Sequence, residues 1–127
     1  MPGFTNAESQ ATLDARFPTS GATDYIAYSA NGTTETTSLA RTAVGSTGWA
    51  AATSADPSVK ANAGALSTAA ATAAVVVSHF AVFSASSGGT QRTEWQTLGT
   101  PGSPVTKSLG VGDNATWAAG SLKVTLT

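Results

Sequence analysis

The chain has 127 residues, of which 10% are charged; six Lys or Arg against seven Asp or Glu give a formal net charge of −1, and there is no cysteine. That length builds one core, able to remove roughly two thirds of the unfolded surface from water. The weak charge leaves no basic field to hold phosphates, and the lack of thiols removes disulfides, thiolate metal sites and cysteine nucleophiles. No nucleic-acid partner and no cofactor are expected. No stretch approaches the roughly 18 apolar residues of a membrane span, and Met1-Pro2-Gly3 lacks the basic start of a secretory signal, so no membrane partner is expected either. The apolar share is mostly alanine and valine, which makes a thin core that gains from tight sheet packing or from neighbouring subunits.

Thr5 followed by Glu8 has capping-box spacing and opens the one helix the sequence offers. Pro18 stops it near Phe17, because proline disfavours helix in the residue before it. Ala7, Ala11, Leu13, Ala15 and Phe17 form no clean helical stripe, so residues 1–22 read either as a short helix docked on the sheet edge or as an arm reaching a neighbouring subunit.

From Thr23 the pattern changes to period two. Residues 24–30 meet Asn31-Gly32, a two-residue hairpin signal, and residues 33–41 return as the partner strand. That loop length places Tyr28 opposite Glu35 and Ile26 opposite Thr37, with an edge strand as the result. Trp49 opens a further short strand over 49–53, and Asp56-Pro57-Ser58 is turn chemistry. Residues 61–74 are alanine-rich but broken by Asn62, Gly64, Ser67 and Thr68, which predicts a loop with strand pieces.

Residues 69–89 hold the one long apolar run. Residues 75–83 read as the central strand, with Val75, Val77, His79, Ala81 and Phe83 on one face and Val76, Ser78, Phe80 and Val82 on the other. Gly88-Gly89 closes it. Residues 91–98 alternate around Trp95, residues 99–104 break the chain, and 105–111, 115–118 and 122–126 are predicted strands. Leu122, Val124 and Leu126 are placed inward. Short strands with frequent turn signals predict an all-β antiparallel sandwich, jelly-roll-like or Ig-like, over residues 23–127.

No reactive centre emerges. His79 is the only histidine and no serine sits in a nucleophile frame, so it reads as structural and no enzyme is expected. The carboxylates are too spread for a metal site; Asp113 in Gly112-Asp113-Asn114 reads as a turn residue before a calcium ligand. Trp49, Trp95 and Trp117 suit core rings first and a carbohydrate platform second. Asn31-Gly32-Thr33 and Asn114-Ala115-Thr116 match the glycosylation pattern, which carries no weight without a secretion signal.

Leu39-Ala40-Arg41, Ala69-Ala70-Ala71-Thr72, Ser78-His79-Phe80, the Ser84 to Gly89 turn, Gly112-Asp113 and the closing Ala118 to Leu126 pattern together cover the last two thirds of the chain. In these residues the chain resembles a family of small phage virion proteins labelled tail fibre or minor capsid proteins in phages of actinobacteria. It departs from that family at Ala73-Ala74, where Trp-Gly is common, and at Ala81, where glycine is common. The resemblance implies a virion structural protein: a capsid decoration or minor capsid protein, made in the host cytoplasm, that binds the outside of the major capsid protein shell. The alternative it leaves open is a tail or tail-fibre component contacting host glycans. The expected partners are the major capsid protein and copies of itself, as a trimer if the threefold positions of a shell set the symmetry. Phe4, Leu13, Phe17, Tyr25 and Tyr28 are the candidate subunit or capsid contacts.

Overall fold

The computed structural model describes residues 5–17, 19, 23–45, 48–53, 58–100 and 103–126. Helix α1 (Asn6–Arg16) is followed by β1 (Tyr25–Ser29), β2 (Thr42–Ala43), β3 (Ser58–Ala61), β4 (Leu66–Ser67) and β5 (Val75–Val77). Then come β6 (His79–Phe83), β7 (Gln96–Thr100), β8 (Ser103–Val105), β9 (Lys107–Leu109), β10 (Thr116–Trp117) and β11 (Lys123–Leu126). A five-stranded antiparallel sheet runs β2-β1-β6-β7-β8, and three two-stranded antiparallel ribbons, β10-β4, β11-β3 and β5-β9, pack with it. The result is an all-β sandwich with a short N-terminal helix.

The helix begins as the sequence dictates. Thr5 caps it by accepting from the Glu8 amide at 3.2 Å, acidic Glu8 lies in the first turn and Arg16 in the last, so both charges oppose the helix dipole. Its inner stripe is Ser9, Leu13 and Phe17, one residue every four, with serine in the first apolar place. The helix packs on β3 and is part of the same core as the sheet; the arm reading gives way to a docked helix. Gln10 donates to the Ala52 carbonyl at 2.9 Å and Asp14 accepts from the Ala52 amide at 2.9 Å, so two side chains one turn apart take the place of a neighbouring strand.

The strand β1 is an interior strand, not the expected edge, and the tight hairpin does not form. Asn31 Oδ1 accepts from the amides of Thr33 and Thr34, both at 2.9 Å, while Ser29 Oγ accepts from Asn31 and Gly32. These local bonds satisfy the backbone of a wider loop, closed by the Ser29 to Glu35 bridge in place of a Tyr28 to Glu35 pair. Residues 37–41 then leave the ladder, Leu39 enters the core, and β2 pairs Thr42 with Ile26. On its other side β1 pairs with β6 from Tyr25↔Phe83 to Ser29↔His79.

The predicted central strand breaks at Ser78. Residues 75–77 pair with β9, residues 79–83 with β1, and the inward phase slips by one: Val77 is buried, then Phe80 and Val82. Ser78 serves the main sheet through its backbone, donating to the Ser29 carbonyl and accepting from the Leu98 amide, both at 3.0 Å. One apolar run thus feeds two sheets.

Residues 91–95 keep only the Gln91 to Phe83 bridge and an Arg92 amide bond to the Val82 carbonyl at 2.7 Å, short of the predicted ladder. Thr93 Oγ1 accepts from the Val82 amide at 3.1 Å, a hydroxyl standing where a strand carbonyl would be, so β7 starts only at Gln96. The stretch 49–53 follows β3 through the Trp49 to Asn62 bridge and the Ala50 to Ala61 bond without forming a ladder of its own. The strand pieces expected within 61–74 and 115–118 are β4 and β10, while β9 is shorter than the predicted 105–111 and Val105 belongs to β8. Leu122 and Val124 point inward as expected.

One cluster holds the sandwich together, from Leu13 and Phe17 of the helix region through Tyr28, Trp49, Phe80 and Trp117 to Val124. Phe17 meets Trp49 edge to face with centroids 5.4 Å apart, and Tyr28 stacks on Trp117 at 5.9 Å. Each such pair adds about 1 kcal/mol beyond area burial. Four rings thereby compensate for the small alanine and valine side chains elsewhere.

Candidate functional site

A cleft of about 480 Å³ lies between the last turn of α1 and residues 92–96. Its floor is Leu13, Phe17 and Val124, all core residues. Its walls carry Arg16 from the helix and Arg92, Glu94, Trp95 and Gln96 from the irregular run before β7. The break in the ladder is what makes this wall: a regular strand would turn alternate residues of 92–96 to the other face. Trp95 is half-buried and held against Phe83 with centroids 6.1 Å apart, so the ring is fixed while part of it meets solvent.

Arg92 is positioned from below. Its Nε lies 3.4 Å from Oδ1 of Asp24, and neither atom has a hydrogen bond, while Asp24 Oδ2 accepts from Trp49 Nε1 at 3.1 Å. Asp24 is 2% exposed. A buried carboxylate locked by a core tryptophan therefore orients the guanidinium that faces the cleft.

A second hollow, of about 370 Å³, surrounds Arg41, Ser87 and Glu35. The Arg41 guanidinium spends four of its five N–H donors inside the chain: it grips both oxygens of Glu35 at 2.8 Å and donates to the carbonyls of Ala85 and Gly88, and it lies 3.9 Å over the Phe83 ring. The bond to Glu35 raises the Arg41 pKa further. This residue is a staple for the 84–89 turn, its donors spent mainly on the chain itself.

No family model and no curated protein sequence matches the chain.

Of the candidate contacts, Leu13 and Phe17 are 4% and 3% exposed and Tyr28 is fully buried. All three are used by the chain's own core, so they are corrected from subunit contacts to core residues. Tyr25 is half-buried, and Phe4 lies outside the described residues. Trp49 and Trp117 are likewise core rings, with Trp117 Nε1 donating to Tyr28 Oη at 3.2 Å, so no three-tryptophan platform exists. His79 is half-buried; its Nδ1 is 2.7 Å from Ser78 Oγ and its ring packs against Gly32. Among the described residues no carboxylate bonds the imidazole and no cluster of metal-ligating side chains forms. Asp113 accepts from the Gly110 amide at 2.8 Å, as a turn residue does. Among the described residues no helix is long and apolar enough to cross a membrane.

Two features escaped the sequence reading. The first is an ion pair between Lys60 Nζ and Asp14 Oδ1, 2.5 Å apart, whose partners stand 46 positions apart in the chain and so leave no local pattern. The second is a ribbon of exposed valines: Val76, Val105 and Val111 are 49%, 54% and 73% exposed. Val76 lies at the middle of β5, opposite Ser108, and Val105 and Val111 flank the two ends of β9. Period-two counting puts Val76 on one strand face with Phe80 and Val82, which are buried while Val76 is not.

Proposed function

We propose that the chain is a virion structural protein, a capsid decoration or minor capsid protein that binds the outer surface of the major capsid shell and stabilises it. The observation that carries this reading is the valine-flanked β5-β9 ribbon. It joins exposed apolar side chains to a ribbon with which no third strand pairs among the described residues, on a weakly charged chain, the combination that favours docking on another protein. The resemblance to phage virion proteins supports it from the sequence side. Residues that carry the likeness hold the fold: Arg41 staples the 84–89 turn, and Phe80 and Leu122 are core.

In this reading the function is mechanical. Each copy adds a protein interface to the shell, of the order of 1,200–2,000 Å² in total for a stable contact. Copies associate as a closed homo-oligomer, a trimer at the threefold positions of the lattice. Cryo-microscopy of the intact particle tests it: density for this fold on the outer shell, with β5 and β9 facing the capsid, is the expected result. Density confined to the tail would overturn it and move the chain to the tail or tail-fibre alternative.

A further inference from the structure

The cleft beside Trp95 has properties that capsid binding does not require. Its charges cancel, with Arg16 and Arg92 balanced by Glu94 and by the Asp24 carboxylate under Arg92. The formal charges sum to zero, so neither an anion nor a cation is favoured by net charge there. What remains is a fixed aromatic ring, an apolar floor, and planar groups at Arg16, Arg92, Glu94 and Gln96 whose paired polar atoms suit paired hydroxyls. The volume of about 480 Å³ lies within the roughly 300–1,000 Å³ of small-ligand sites.

We propose that this cleft binds a neutral carbohydrate, one or two hexose units, whether the chain sits on the head or on the tail. A hexose presents an apolar face of C–H groups and a rim of adjacent hydroxyls. The C–H face lies against Trp95 and the apolar floor of Leu13 and Phe17, where burial of a ring surface supplies the driving force. Guanidinium, carboxylate and amide each bridge two neighbouring hydroxyls, so the rim is recognised without any net charge. Arg92 is held by Asp24 and Trp95 by Phe83 before any ligand arrives, which reduces the ordering cost of binding. A peptide meets the same floor, yet it would leave several of these paired donors and acceptors without partners.

The test is an amide NMR titration of the full chain with glucose, galactose, mannose, N-acetylglucosamine and maltose, with glucuronate as the anionic comparison. The expected result is saturable shifts with at least one neutral sugar, confined to residues 12–17 and 92–96. Trp95→Ala then weakens binding about tenfold, the size of one lost ring contact. Arg16→Ala and Glu94→Gln, both at exposed positions, weaken it several-fold and remain informative if Trp95→Ala does not fold. The proposal is overturned if no neutral sugar saturates, if glucuronate binds more tightly than every neutral sugar, or if none of the folded variants weakens binding.

Discussion

Lys60 has no exposed surface, and its Nζ lies 2.5 Å from Asp14 Oδ1, so β3 and α1 are joined by an ion pair with one end inside the core and the other at the rim. The two members are not equivalent. Asp14 also accepts from the Ala52 amide and is 36% exposed on its side chain, so water reaches it. Lys60 has no such recourse.

Removing Asp14 therefore costs more than removing Lys60. Asp14→Asn leaves a buried ammonium without its counter-charge and should destabilise by about 2 kcal/mol, below the roughly 3–5 kcal/mol of a fully enclosed pair because the rim is wet. Lys60→Met leaves only a carboxylate that water can solvate and should cost under about 1 kcal/mol. Urea midpoints of the two variants give the comparison; equal losses would contradict it.

The same pair sets an acid dependence. The hydrogen bond from Lys60 holds the Asp14 carboxyl below its usual 3.8. A group whose folded pKa is lowered stabilises fully above its unfolded pKa, and that contribution fades as pH falls through the folded value. The stability gap between wild type and Asp14→Asn should be constant from neutral pH to about pH 5 and shrink below pH 4.

Tyr28 gives the opposite sign. Burial pushes its phenol above the usual 10.0, against the opposing bonds to Thr42 and Trp117. Its contribution is complete below pH 10 and is lost as pH rises toward the folded pKa, because the unfolded chain ionises first. Tyr28→Phe leaves Trp117 Nε1 and Thr42 Oγ1 without this partner and should cost about 1–3 kcal/mol at neutral pH. Alkaline denaturation of that variant should begin later relative to its neutral stability.

Arg41→Lys keeps the charge but loses the forked grip on Glu35 and the flat face over Phe83. An ammonium cannot reach Glu35 and the carbonyls of Ala85 and Gly88 together. Stability should fall by about 1–2 kcal/mol. Amide exchange should accelerate in residues 84–90 while β1 keeps its protection, and uniform acceleration would refute the staple role.

Gly32 has φ of 78°, and a methyl group there would sit 2.9 Å from His79 Nε2. Gly32→Ala should cost about 1–2 kcal/mol through backbone strain and the displaced ring together. In a His79→Ala background the ring part disappears, so the double-mutant cycle should show a coupling between the two sites.

The sequence disclosed whatever depends on local chemistry. Thr5 and Glu8 start the helix, Gly88-Gly89 make the turn, and Leu122 and Val124 alternate inward, because each of these is decided by a few neighbouring atoms. It misled where a side chain replaces a backbone partner. Asn31 and Ser29 opened the hairpin, Thr93 displaced the start of β7, and Ser78 divided the apolar run; hydroxyls and amides in a chain this rich in them compete with the ladder at many places. The cleft was invisible for the same reason, since it exists only because residues 92–95 form no regular strand. The sequence marks Trp95 as one ring of three, Leu13 and Phe17 as contacts and Val124 as inward-facing, with no sign that the four meet at one cleft.

Four of the first five strands find partners among the last six: β1 with β6, β3 with β11, β4 with β10 and β5 with β9. On the ribosome, a nascent chain that has emerged only as far as β8 carries α1 and β3 with no β11 to complete the ribbon beneath the helix. Closure waits for residues 123–126. Folding is thus a late, whole-chain event governed by distant pairings.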